Sequence, residues 1–363
     1  MTNAALLGSF GDVGGGPLVF RNKLINGDMS IFQRGVAATA INTYAVDRWK
    51  FAKVNGATES VSQSTDAPSG YSFSLRDTIS VGDASIGATE YSALQQYIEG
   101  NNTSDLSFGT SSAKSVTISF WVRSSVIGQY TGNIGNSDSS RLCPFNYTIN
   151  VANTWEHQKI TLPGCPDGTW NAGTTSASIC LQFYSALGSS FSGGTAGVWN
   201  SAAQYGSGSP VNGIASNGNI FAITGVQLEA GTCATPFEIL PVQTRIHLCQ
   251  RYYEKSYNLD VAPGTNTLVG SWYFLGASDN TNNLGMIINF KVPKRITPNQ
   301  FAAYREVGTD GWDYARTATV GNIATASLNI GRLGSSGGLV YGGVGAPNTS
   351  AAIFGHWVCA SEF

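Results

Sequence analysis

The side chains with the strongest claim to chemistry in this chain are aromatic. Trp170 (DGTWNAG), Trp199 (AGVWNS) and Tyr205 (AAQYGS) lie in loops of small residues, and Tyr184 and Phe191 are close by in sequence. An exposed indole or phenol offers a flat apolar face with a polar tip. Sugar rings present C–H faces of matching shape, so Trp170, Tyr184, Trp199 and Tyr205 are candidate glycan contacts. The same rings would also serve to pin long loops onto a sandwich or to fill a subunit interface. Both readings stand at this point.

Groups able to make and break bonds are sparse. There is no GxSxG elbow, no Walker loop, and no GxGxxG between a strand and a helix. The glycine-rich stretches GDVGGGP and GGLVYGGVG open no helix and so offer no phosphate cradle. A glycosidase needs two carboxylates at a set separation. Glu90, Glu99, Glu156 and Glu229 are candidates, but their spacing singles out no pair, and turn stabilisation accounts for Glu99 and Glu229. Cysteines at 143, 165, 180, 233, 249 and 359 form no CxxC, and His157, His247 and His356 fit no zinc spacing. No catalytic residue and no metal ligand is therefore assigned, and the chain is expected not to be an enzyme. Cys143 and Cys165, each followed by proline, are candidates to pair on oxidation, and Cys180 reads as a small buried strand residue. In a reducing cytoplasm the thiols are expected to stay free.

The elements that must carry these residues are strands. In SVTISFWVR, Val116, Ile118, Phe120 and Val122 fall on one face, and Thr117, Ser119, Trp121 and Arg123 on the other. That period of two marks a half-buried antiparallel strand. HQKITL, ASICLQFY, NIFAITGVQLE, TLVGSWYFL and GMIINFKV repeat the pattern, separated by turn-forming runs such as GNIGNSDSS. Many short strands between such loops predict β-sandwiches. One stretch differs: in PVQTRIHLCQRYYEK, Val242, Ile246, Cys249 and Tyr253 recur at helical spacing behind Pro241, which predicts an amphipathic helix of three to four turns. Its apolar stripe would pack on its own domain or meet copies of itself about a threefold axis. The final run SAAIFGHWVCASEF alternates as a strand expected to close the last sheet, with His356 a hydrogen-bonded strand residue.

The composition agrees with this layout. Among 363 residues, 44 are glycine and only 12% are charged, against roughly 25% in an average globular protein. A net charge of −2 leaves no basic stripe for nucleic acid. No apolar run approaches the ~18 residues of a membrane-spanning helix. The length suits two domains. Residues 1–21 read as an attachment peptide with a Gly14–Gly16 hinge, 22–240 as a sandwich, 241–256 as the connecting helix, and 257–363 as a smaller β-domain. The start has neither the positive region nor the apolar core of a secretion signal. Leu6, Leu7 and Phe10 are the candidate anchors to a partner.

A set of motifs occurs in order: LINGDM (24–29), QRG (33–35), YAVDRW (44–49), STDAPSGYSFSL (64–75), QQYIEG (95–100), KSVTISFWVR (114–123), GVQLEAG (225–231), ATPFE (234–238) and LCQRYYE (248–254). This set resembles a family of tailed-phage virion proteins, tail-fibre or minor structural proteins, over about residues 22–255. Residues 22–240 are also similar in layout to carbohydrate-binding modules of the CenC type. The resemblance implies an all-β chain: a jelly-roll sandwich, a short helix and a smaller C-terminal β-domain, assembled as a homotrimer. It implies that Asp47, Arg48 and Trp49 are structural, a buried aromatic with an ion pair at a strand start. Some relatives hold calcium, and here Asp28 and Glu229 are the carboxylates that could reach such a site. Two are too few to assign it, so no cofactor is expected. The function implied is a tail-fibre adhesin that contacts host surface glycan, assembled in the host cytoplasm and located in the virion. Its partners would be itself, a tail or capsid protein at its N-terminus, and the glycan or receptor, with no nucleic acid and no membrane insertion. A capsid-attached head fibre and a glycan-degrading tailspike are the alternatives.

Overall fold

The computed structural model describes residues 20–201, 203–277, 279, 283–309, 313–316, 319–324, 328–343 and 350–363. Leu6, Leu7 and Phe10 lie outside the described residues. There are two compact units: the first holds the described residues up to 30 with 37–240 and Phe363, the second 31–36 with 241–362.

The first unit contains β1 (Thr43–Tyr44), β2 (Lys50–Val54), β3 (Thr58–Ser64), β4 (Ser74–Val81), β5 (Tyr91–Glu99), β6 (Val116–Ser124), β7 (Gly128–Asn136), β8 (Leu142–Ile149), β9 (Glu156–Leu162), β10 (Ala177–Leu187) and β11 (Ile220–Ala230). They form a six-stranded sheet, β1-β2-β5-β10-β7-β8, and a five-stranded sheet, β3-β4-β11-β6-β9. From β4 onward the chain passes between the sheets so that β5-β10-β7-β8 faces β4-β11-β6-β9. That connectivity is a jelly-roll sandwich.

Side-chain alternation decides which face is buried. Val116, Ile118, Phe120 and Val122 of β6 are buried, as the sequence predicts, while Trp121 and Arg123 stay partly exposed on the outer face. From the facing sheet, Phe183 of β10 meets Phe120 at 4.7 Å between ring centroids, Phe145 at 5.9 Å and Trp49 at 6.4 Å. Burying one such side chain contributes about 1.5–3 kcal/mol. The first motif lies against the last strand: Lys23 N–H donates to Leu228 O and Val226 N–H to Gly27 O. Trp49 and Arg48 are buried; Trp49 donates Nε1–H to Asn26 O, and Arg48 donates Nη2–H to Tyr97 O at 2.7 Å. Asp47 accepts from Asn26 Nδ2 through its backbone carbonyl.

The second unit opens with one helix, α1 (Val242–Gln250), followed by β12 (Tyr253–Lys255). The helix is shorter than its spacing predicts. Residues 253–255 pair instead with 358–360 in β20 (Ser350–Ala360), where backbone hydrogen bonding to a long strand outweighs continuation of the helical period. β20 does not close a sheet edge. It is central, pairing also with β13 (Trp272–Ala277), β15 (Gln300–Tyr304) and β16 (Asp313–Arg316), the last joined by β17 (Thr319–Ala324). A second sheet runs β14 (Asn283–Asn289), β19 (Gly337–Gly343), β18 (Leu328–Gly331). Met286, Ile288, Val340, Ile353 and Trp357 form the core. His356 is a hydrogen-bonded strand residue, bridging Ser256 Oγ at 3.1 Å and Thr267 O at 2.9 Å and stacking on Tyr257.

Candidate functional site

On the outer face of the six-stranded sheet lies a cleft of about 200 Å³. Its floor follows from register. Gln182 of β10 stands opposite Gln95 of β5 and Asn133 of β7, and Tyr184 stands opposite Ala93 and Thr131. Because successive strand residues alternate faces, Tyr91, Gln95 and Tyr97 point out of the sandwich with Gln182 and Tyr184. A β-bulge follows Tyr184, between Tyr184 and Ala186. Bulges of this kind re-aim side chains beside a site. The wall comes from Phe191 and from Tyr205 of the long loop before β11, their rings edge-to-face at 5.1 Å.

A hydrogen-bonded amide row fixes the floor. Gln182 Nε2 donates to Gln95 Oε1 at 2.6 Å, and Tyr184 Oη donates to Gln182 Oε1 at 2.9 Å. Asn133 Nδ2 serves Gln182 Oε1, Tyr184 Oη and Tyr205 O at 3.1, 3.1 and 2.9 Å, tying the wall loop to the floor. That loop comes close enough only because residue 206 is glycine. A Cβ there would sit 2.4 Å from Leu187 Cδ2 and 2.6 Å from Thr131 Cγ2. Gln95 Nε2 has no protein partner among the described residues and borders the cleft.

Tyr91, Tyr97 and Tyr184 are held neutral. Burial raises the Tyr184 phenol well above its ordinary value, and burial followed by Tyr205 raises Tyr91. The neighbouring Cys180 thiol, then burial, raises Tyr97. Among the described residues no carboxylate lines the cleft. The arrangement therefore offers ring faces, neutral hydroxyls and an open amide donor, which is equipment for holding a hydroxyl-rich ligand.

The structure divides the four aromatic candidates. Tyr184 and Tyr205 line the cleft, with Tyr184 itself 3% exposed. Trp170 and Trp199 gather elsewhere on Phe108, edge-to-face at 4.9 and 5.7 Å. Their indole N–H groups donate to Asp167 O and Pro163 O, so these two pin loops together. Tyr91, Tyr97, Gln95 and Gln182 escaped the sequence reading, although the spacing of 91, 95 and 97 already places them on one strand face. The acidic candidates are engaged locally: Glu90 accepts from Gly87 N–H, Glu99 from Asn101, and Glu156 from Asn150 and Val151. Glu229 accepts from Thr235 and Gln227, with Arg21 at 3.7 Å, and Asp28 accepts from Ser30. Among the described residues no three His, Cys, Asp or Glu are grouped to hold a metal ion. All six cysteines are free thiols, five of them buried and Cys233 exposed.

No family model and no curated protein matches the sequence. Solved structures similar to it include the enzymatically active domain of bacteriophage CBA120 tailspike protein 4, at 12% identity and TM-score 0.32, matching 58% of this chain and 21% of that one. The match thus spans about a fifth of the tailspike chain. TmCBM61, solved with β-1,4-galactotriose, is similar at 12% identity and TM-score 0.31 over 58% of this chain and 99% of the module. The family 11 carbohydrate-binding module of Clostridium thermocellum, solved with a mixed-linked tetrasaccharide, gives 13% and 0.28 over 55% and 99%. The class of the first unit, a jelly-roll β-sandwich, rests on its own strand pairing.

Proposed function

We propose that this chain is a glycan-binding adhesin of a phage virion, of the tail-fibre kind, which holds host surface glycan without cleaving it. The observation that carries the reading is the cleft on the six-stranded sheet: Tyr91, Tyr97 and Tyr205 line it with aromatic rings, Gln95 offers an open donor, and among the described residues its lining holds no carboxylate of the kind a glycosidase uses. The virion address rests on the ordered motif set from LINGDM to LCQRYYE. Self-association is supported by Tyr273, Leu275 and Ile287, exposed apolar side chains on β13 and β14 of the second unit.

The test is retention of the purified full chain on host surface polysaccharide, with Gln95→Ala and Tyr205→Ala alongside. Retention lost in both variants with the fold intact supports the reading. Retention unchanged in both removes the cleft, and release of reducing ends replaces adhesion by hydrolysis. Immunogold imaging of particles separates a tail fibre (label at the tail tip) from a head fibre (label over the capsid). Light scattering at a monomer mass near 38.2 kDa would exclude the trimer.

A further inference from the structure

The opposite face of the same sandwich carries a second cleft, of about 230 Å³, which the glycan reading does not use. Its floor is a register block of the five-stranded sheet. Trp121 of β6 stands directly across from His157 of β9, and Ser119 from Lys159. The Trp121 and His157 rings stack at 4.9 Å between centroids. Tyr71 and Phe237 form the walls, edge-to-face at 5.5 Å, and Tyr71 lies beside Trp121.

The backbone makes room for this arrangement. Gly225 sits at the β11 bulge with φ +59°, and a Cβ there would stand 2.6 Å from the Tyr71 hydroxyl. Glycine thus answers both a left-handed backbone and the close approach of a phenol.

Thr235 is spent on Glu229 and Arg21, but three polar groups of the floor are not. Among the described residues, the Lys159 ammonium, the His157 ring nitrogens and the Ser119 hydroxyl have no hydrogen-bond or carboxylate partner. Among the described residues no carboxylate lines the cleft; Asp28, felt by Tyr71, is hydrogen-bonded to Ser30, and Glu229, which accepts from Thr235 of the lining, has Arg21 at 3.7 Å. The charge that faces the cleft is thus the Lys159 ammonium, in a chain whose net charge is −2. The volume is below the ~300–1,000 Å³ of pockets for drug-sized ligands, so it suits one ring.

We propose that this second cleft binds a single acidic sugar unit of a uronate-bearing glycan, with Trp121 and Tyr71 against the ring face, Lys159 on the carboxylate and Ser119 on a hydroxyl. Aromatic faces hold the C–H side of the ring, and a charge-assisted bond from an unpaired ammonium selects the anion. The site is independent of the first cleft and lies on the other sheet.

The experiment is titration of the full chain with α-1,4-digalacturonate and with neutral α-1,4-galactobiose, followed by tryptophan fluorescence. It is run in a Gln95→Ala/Tyr205→Ala background so that the first cleft does not contribute. Digalacturonate should bind, should weaken at least tenfold in Lys159→Ala, and should weaken further as salt is raised. Trp121→Ala should abolish binding. Equal affinity for galactobiose, no binding of digalacturonate, or binding unchanged in Lys159→Ala would each overturn the proposal. Lys159 is exposed on a sheet edge, so its variant folds even if Trp121→Ala does not.

Discussion

Asn133 is the joint between the floor and the wall of the first cleft, and its removal gives a measurable loss. Its side-chain amide has two N–H bonds and serves three acceptors, Gln182 Oε1, Tyr184 Oη and Tyr205 O. The residue is fully buried. Two net hydrogen bonds at about 1 kcal/mol each, with the acceptors left dry and a small void, put Asn133→Ala at about 2–3 kcal/mol. For a unit of this size ~1 kcal/mol shifts the midpoint by about 2–4 °C, so its melting should fall by about 4–12 °C. Releasing the Tyr205 loop should also weaken glycan retention by at least about tenfold, since ~1.4 kcal/mol is one decade. Asn133→Asp keeps the shape but sets a carboxylate among acceptors. Burial raises that carboxyl's pKa, so stability is held at low pH and lost as pH rises through it. Scanning calorimetry and affinity chromatography read both variants. An Asn133→Ala protein that melts within about 1 °C of wild type and retains glycan equally would refute the reasoning.

Phe183→Ala should destabilise the first unit by about 3–5 kcal/mol, read by denaturant titration, because Phe120, Phe145 and Trp49 all lose their packing partner. Asp77 and Glu59 are both buried; burial, then Glu59, holds the Asp77 carboxyl well above the usual range. The folded state then binds more protons than the unfolded one, so stability is greatest below about pH 4 and declines as pH rises toward the folded pKa. Asp77→Asn should remove that decline: melts from pH 4 to 8 should show the variant gaining on wild type as pH rises, and a constant difference would contradict it. In the second unit Lys294 and Glu254 pair at 2.6 Å with both side chains fully buried. Glu254→Gln strands the ammonium and should cost about 3–5 kcal/mol, seen as a lowered second-unit transition.

The strands were legible in the residues because a sheet with one buried face writes a period of two into its sequence. Val116, Ile118, Phe120 and Val122 show it, and they are buried. The helix was legible only in part, since nothing in PVQTRIHLCQRYYEK reveals that residues 253–255 have a partner a hundred residues later. The aromatic candidates illustrate the same limit. Small-residue loops mark Trp170, Trp199 and Tyr205, and Tyr184 ends a strand run, but Trp170 and Trp199 turn their N–H groups onto backbone carbonyls while Tyr184 and Tyr205 face a cleft.

By itself, then, the sequence determined that the chain is all-β, where seven of its strands run, and which face of Val116–Ser124 is buried. Local patterns suffice for that, because burial and turn chemistry act within a few residues. Only the tertiary structure decided which outward-facing side chains meet. Gln95, Gln182 and Asn133 form one row because β5, β10 and β7 are neighbours, and Ser119, Trp121, His157 and Lys159 form one block because β6 pairs with β9. Such a site is set by long-range register, to which the spacing of residues along the chain is blind.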